Sequence, residues 1–184
     1  MEKMTAEPAA HARDQADGIV QIALSPEEDF RDIIRRLENV RIPPTRVSAG
    51  SIRFAVLELI NNSIRAHREK GEGRDIEVVF IIADGRLSVS VRDFGGGFDP
   101  RSLPYDVAAD PDAVDLRSAA FEEYQRNSGY KRFGMGLYVA RKTFDTFQIM
   151  FLDGNGKPRQ WEHGSVAGTV INLTARVDAR ETAR

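Results

Sequence analysis

The sequence predicts an α/β domain, one sheet with helices packed on it, from three observations. Residues 87–93 alternate apolar Leu87, Val89 and Val91 with Ser88, Ser90 and Arg92, the period of a strand with one buried face. Over residues 46–70, Ile52, Val56, Leu59, Ile60 and Ile64 recur at the spacing of a helix with one apolar stripe. Asp84-Gly85 and Asp153-Gly154-Asn155-Gly156 mark sharp turns between apolar runs.

A chain of 184 residues fits one domain with an ordinary core. Its net charge of -2 gives no electrostatic case for nucleic acid or an anionic membrane, and neither is expected as a partner. The absence of cysteine excludes disulfides, thiolate metal sites and a cysteine nucleophile. No apolar run is long enough to span a membrane, and residues 1–17 lack the apolar stretch of a secretory signal, so a cytoplasmic protein is expected.

Taken in order, residues 1–17 are polar and aperiodic and read as a mobile leader, with the domain proper over residues 18–177 and a tail over 178–184. Ile19, Val20, Ile22 and Leu24 form a short strand. Ser25-Pro26-Glu27-Glu28 then carries the signals of a helix start: a serine cap, proline at the first position and glutamate at the third. Phe30, Ile33, Ile34 and Leu37 should be that helix's core face, ending before Pro43-Pro44. The helix of residues 46–70 stops at Gly71, a common residue just past a helix end. Residues 76–83 are a nearly continuous apolar strand, which Asp84-Gly85 turns into the strand of residues 87–93.

Residues 98–132 are long, proline-containing and acidic, with an amphipathic piece around residues 119–124. Such connections tend to be lids, binding loops or disordered stretches, and a lid is expected here. Gly134-Met135-Gly136-Leu137 opens a helix carrying Val139, Ala140 and Phe144. Residues 147–152 and 168–173 are the closing strands, the second entered through Gly168-Thr169.

Three stretches carry chemistry. Asp93 continues the apolar set of its strand, so its carboxylate is carried inward, where something must donate hydrogen bonds to it. The glycines of Asp93-Phe94-Gly95-Gly96-Gly97 let backbone pass close to the same partner. Taken alone, D-x-G-x-G reads equally as a solvated aspartate before a flexible turn. Glu58 and Asn62, four apart, project from one helix face, with Ala55 and Ala66 leaving room beside them; a surface pair on an amphipathic helix is the plainer reading. Gly134 and Gly136 leave backbone N–H groups free to meet an anion at a helix start, behind Lys131 and Arg132, although glycines there also serve tight packing. His67 reads as a helix-end residue and not as a ligand.

In this order, E-x-x-x-N on a helix, a hairpin, D-x-G-x-G, a long loop, G-x-G-L at a helix start and G-T resemble the GHKL ATP-binding superfamily. Its members include gyrase-type and mismatch-repair ATPases, the heat-shock chaperone ATPase domain and sensor histidine kinases. The resemblance implies a two-layer α/β sandwich, the Bergerat fold, with a mixed, mostly antiparallel sheet and helices on one face. It implies ATP with Mg2+ as the ligand. Asp93 would accept the adenine amino group, with Gly95 and Gly97 near the base and Thr169 lining the pocket. Asn62 would hold the magnesium ion. The loop and helix start from Lys131 through Gly134, Met135, Gly136 and Leu137 would meet the phosphates, and Glu58 would be the general base.

Among the branches, sensor histidine kinases need a phosphoacceptor helix, and none of His11, His67 and His163 has that context. Gyrase-type, chaperone and repair members continue into further domains. Glu58, with Arg132 placed where it would contact the terminal phosphate, is most similar to the anti-sigma-factor serine/threonine kinases. That implies a small anti-sigma-antagonist-type protein as substrate, a sigma factor as a second partner, and room for a homodimer. The lid is longer and more acidic than that branch leads one to expect. The rivals are a nucleotide-sensing module that transfers nothing and an orphan histidine-kinase catalytic domain.

Overall fold

The computed structural model describes residues 18–107, 109–127 and 135–178. Six strands, β1 (Gly18–Leu24), β2 (Ile76–Ala83), β3 (Arg86–Asp93), β4 (Thr146–Leu152), β5 (Pro158–Arg159) and β6 (Gly168–Arg176), form one sheet in the order β1-β2-β3-β6-β4-β5. Every pairing among these strands is antiparallel, so the mostly antiparallel sheet expected is observed without a parallel pair. The last strand is inserted in the middle of the sheet, and its register sets Thr169 opposite Asp93.

Asp84 and Gly85 both have positive φ, 51° and 69°, the conformation of a two-residue hairpin turn whose twist suits the flanking strands. The β2–β3 hairpin therefore forms where the sequence placed it. Leu87, Val89 and Val91 are almost fully buried, and Asp93 follows them on the same face at 9% exposure. The opposite face carries Glu77, Ser88, Ser90 and Arg92, which stay partly open to solvent.

Two helices cover the apolar face first. Helix α2 (Ala49–Lys70) is capped by the Ser48 side chain, which accepts from the Ser51 amide, and ends at Gly71 with φ 69°. Its stripe of Ile52, Val56, Leu59, Ile60 and Ile64 joins the sheet residues in one continuous core. Helix α1 (Phe30–Glu38) starts later than Ser25-Pro26-Glu27-Glu28 suggests. Asp29 is the cap, accepting from the Arg31 amide at 2.8 Å. The Ser25 hydroxyl accepts from the Glu27 amide and its carbonyl from the Glu28 amide, closing a separate turn that uses up the capping signal. Phe30, at the first position of the helix, is 47% exposed and not part of the core face, whereas Ile33 and Leu37 are buried.

Between β3 and helix α4 (Met135–Thr143), the segment expected to be a lid carries two short 3-10 turns, Pro100–Ser102 and Pro111–Ala113, and helix α3 (Ala119–Asn127). Phe121 of α3 is buried at 2% exposure. Tyr105 stacks on it at 5.6 Å and meets the edge of Tyr138 on α4 at 6.3 Å, while Asp112 pairs with Lys142 at 2.9 Å. These contacts lay the described lid along α4. No helix among the described residues is long and apolar enough to cross a membrane.

Candidate functional site

At the end of β3, the chain itself supplies the donors that the inward Asp93 carboxylate requires. The Gly95 amide donates to Oδ1 at 2.9 Å, and the Ser63 hydroxyl, reaching from α2, donates to Oδ2 at 3.3 Å. Burial pushes the carboxyl up to about 6, against the opposing pull of the Gly95 and Ser63 hydrogen bonds, the nearby Lys70 charge and the Thr169 amide. Each carboxylate oxygen accepts more than one bond, so both retain capacity for a ligand donor.

The glycine loop after Asp93 is fixed on three sides. A β-carbon on Gly95 would collide with Ala66 on α2, so the room expected beside Ala66 is filled by loop backbone. Gly97 combines φ 69° with neighbours that leave no space: a β-carbon there would lie 2.7 Å from Val166 Cγ1 and 3.2 Å from the Phe151 and Trp161 rings. Lys70, in the last turn of α2, donates to the Phe94 carbonyl at 3.1 Å and the Ala167 carbonyl at 3.3 Å. His67 lies in the last turn of the helix, as read, but it is fully buried. Its Nε2 accepts from the Phe94 amide at 2.8 Å, which makes it a brace for the loop. Burial holds its pKa below the ordinary value, in keeping with a neutral, accepting ring.

The second end of the site lies where α4 crosses α2. Gly136 is the contact: a β-carbon there would come 2.7 Å from Asn62 Nδ2 and 3.5 Å from Glu58 Cβ. The tight-packing reading of this glycine is thus correct, and it does not displace the other, because Gly136 also lines the cavity. Asn62 Oδ1 accepts from the Arg65 guanidinium at 2.7 Å. Glu58 is half-buried and has no hydrogen bond or ion pair to a described residue.

Both ends open into one cavity of about 500 Å3, a volume suited to a small organic ligand. Glu58 and Asn62 line it from α2, Asp93, Gly95 and Gly97 from β3 and its loop, Met135, Gly136 and Leu137 from α4, and Thr169 from β6. Lys131, Arg132 and Gly134 lie outside the described residues. The model of the histidine kinase-like ATPase domain family matches residues 22–157 of the chain. The chain belongs to that family. No curated protein matches it.

As a histidine kinase-like ATPase domain, it is of an ATP-binding type, and its cavity draws on more residues than the motifs name. Ser63, Arg65, Lys70 and, from the lid, Tyr124 also face the site. Ser63 and Arg65 follow Asn62 by one and three residues, and helical spacing would have brought Arg65 onto the same face. Lys70 lies at the end of the same helix, whereas Tyr124 is brought in from α3 by tertiary packing. Among the described residues no group of three or more His, Asp and Glu gathers that could hold a metal ion by itself. The Asn62 amide oxygen, on a side chain that lines the cavity, is nevertheless of the kind magnesium accepts, since that ion takes a few protein oxygens and completes its shell with phosphate and water.

Proposed function

We propose that this domain is an Mg-ATP-dependent protein kinase of the anti-sigma-factor type, which transfers the ATP γ-phosphoryl group to a serine or threonine hydroxyl on a small regulatory protein. The observation that carries this reading is Glu58. Its carboxylate lines the same cavity as Asp93 and Asn62, and no described residue holds it. A carboxylate oxygen kept clear of partners is what a hydroxyl needs in order to lose its proton as it attacks phosphorus.

In this reading, Asp93 accepts the adenine amino group and thereby sets the depth of the base. Asn62 and water hold the metal, which when bound offsets the charge of the phosphates. Arg132 and the amides of Gly134 and Gly136 meet the phosphate oxygens. The acceptor oxygen forms a bond to the γ-phosphorus, the bond to the β–γ bridging oxygen breaks, Glu58 takes the hydroxyl proton and ADP leaves.

Incubation with labelled ATP and a panel of small candidate partners, followed by identification of the labelled residue, tests the reading. Label on serine or threonine is expected. Glu58→Gln should bind ATP within about threefold of the parent yet lose transfer by about a hundredfold or more. Retained transfer in that variant would name another base. Label on histidine would replace the reading with an orphan histidine kinase, and binding without any transfer would leave a nucleotide-sensing module.

A further inference from the structure

Asn62 has one side-chain oxygen, and that atom already holds a cation: the Arg65 guanidinium donates to Oδ1 at 2.7 Å. The other half of the amide is turned the opposite way, with Nδ2 against Gly136 at the α2–α4 contact. Arg65 therefore fixes which way the amide points, oxygen toward the guanidinium and nitrogen toward Gly136 of α4. Both side chains line the cavity, so whatever enters meets them together.

A guanidinium is charged at every accessible pH and offers several donors in a planar fork that suits phosphate oxygens. A magnesium ion bound to the same amide oxygen would sit within a few ångströms of that positive charge, in a cavity where the repulsion is less screened than in bulk water. Both cations on one oxygen are mutually unfavourable. From this juxtaposition we propose that Arg65 is a resident counter-cation, which holds the Asn62 oxygen and the phosphates of metal-free nucleotide and yields that oxygen when magnesium enters. Arg65 is then a positioning residue for the metal. The proposal rests on the reading of Asn62 as the magnesium ligand.

One consequence separates this role from that of an ordinary phosphate contact. Removal of Arg65 should hurt the metal-free complex far more than the metal-loaded one, because in the latter the arginine has already given way. Calorimetric titration of the full chain with ATP, once in EDTA and once in excess Mg2+, reads this without relying on activity. Arg65→Met should lose about tenfold or more of metal-free affinity, the size of one hydrogen bond to a charged group, and less than about threefold with magnesium. The Mg2+ concentration that half-saturates the nucleotide complex should fall in the same variant.

Arg65→Lys keeps the charge and should retain metal-free binding within about threefold of the parent. It also gives an independent reading if the methionine variant folds poorly. Equal losses with and without magnesium would overturn the proposal by making Arg65 a contact that coexists with the metal, as would no loss in either condition. A parent protein whose ATP affinity ignores magnesium would overturn it at its foundation, the assignment of Asn62. Serine transfer by Glu58 stands or falls separately, in the labelling experiment.

Discussion

In the proposed function, Asp93 has two tasks with opposite demands on its proton. In the free domain burial favours the neutral acid, since the carboxyl is raised from 3.8 to about 6. Its contribution to folding stability is therefore fully present below the unfolded value and is lost as pH rises through about 6, an effect of about 3 kcal/mol. Adenine binding through an amino donor favours the ionised form. ATP affinity should consequently weaken as pH falls below about 6, and Asp93→Asn should flatten that dependence; parallel pH profiles for the two proteins would show that some other group titrates. Gly136 gives a second prediction at this scale. Alanine suits a helix better than glycine, and the clashing atom is the end of the Asn62 side chain. Gly136→Ala should keep the melting temperature within a few degrees while reducing Mg-ATP affinity about tenfold, because the Asn62 amide must move from the place where it would meet the metal. A large drop in melting temperature would make Gly136 a stability residue first. The inward aspartate was legible from strand period alone. Apart from the neighbouring Gly95 amide, its donors were not, because Ser63 comes from another element and Thr169 from a strand far along the chain.

Helix α2 is the element that the sequence displayed most fully. Its stripe, its glycine stop and the Glu58–Asn62 pair all follow from spacing within one segment, with the Ser48 cap setting its start at Ala49 in place of residue 46. Helix α1 was read less well, because two competing caps lie four residues apart and the side chain of Asp29, which the pattern passed over, reaches the first free amide. The long connection over residues 98–132 is legible in length and composition, but aperiodic sequence does not reveal aromatic contacts such as Tyr105 on Phe121. Phe121 lies outside the main core cluster, so its burial holds the lid and not the sheet. Phe121→Ala should raise proteolytic cutting and hydrogen exchange within residues 98–127 and speed ATP release. A local cost of about 3 kcal/mol or more is expected for a buried phenylalanine. If cutting and release are unchanged, the lid is held by something other than this ring.

At the scale of the molecule, the site exists because β6 is inserted between β3 and β4. That insertion puts Thr169 beside Asp93, and α4 then crosses α2 at Gly136 to complete the cavity. No local pattern announces such an order of strands; the ordered set of motifs did so only through its resemblance to a family, which the match over residues 22–157 supports. The proposed function requires that one cavity bind ATP with Asp93 as the anchor of the base. Calorimetric titration of Mg-ATP into the parent domain and Asp93→Asn tests it most directly. A loss of about tenfold or more is predicted, the cost of removing a charged acceptor from a buried hydrogen bond. Equal affinity for the two proteins would contradict it.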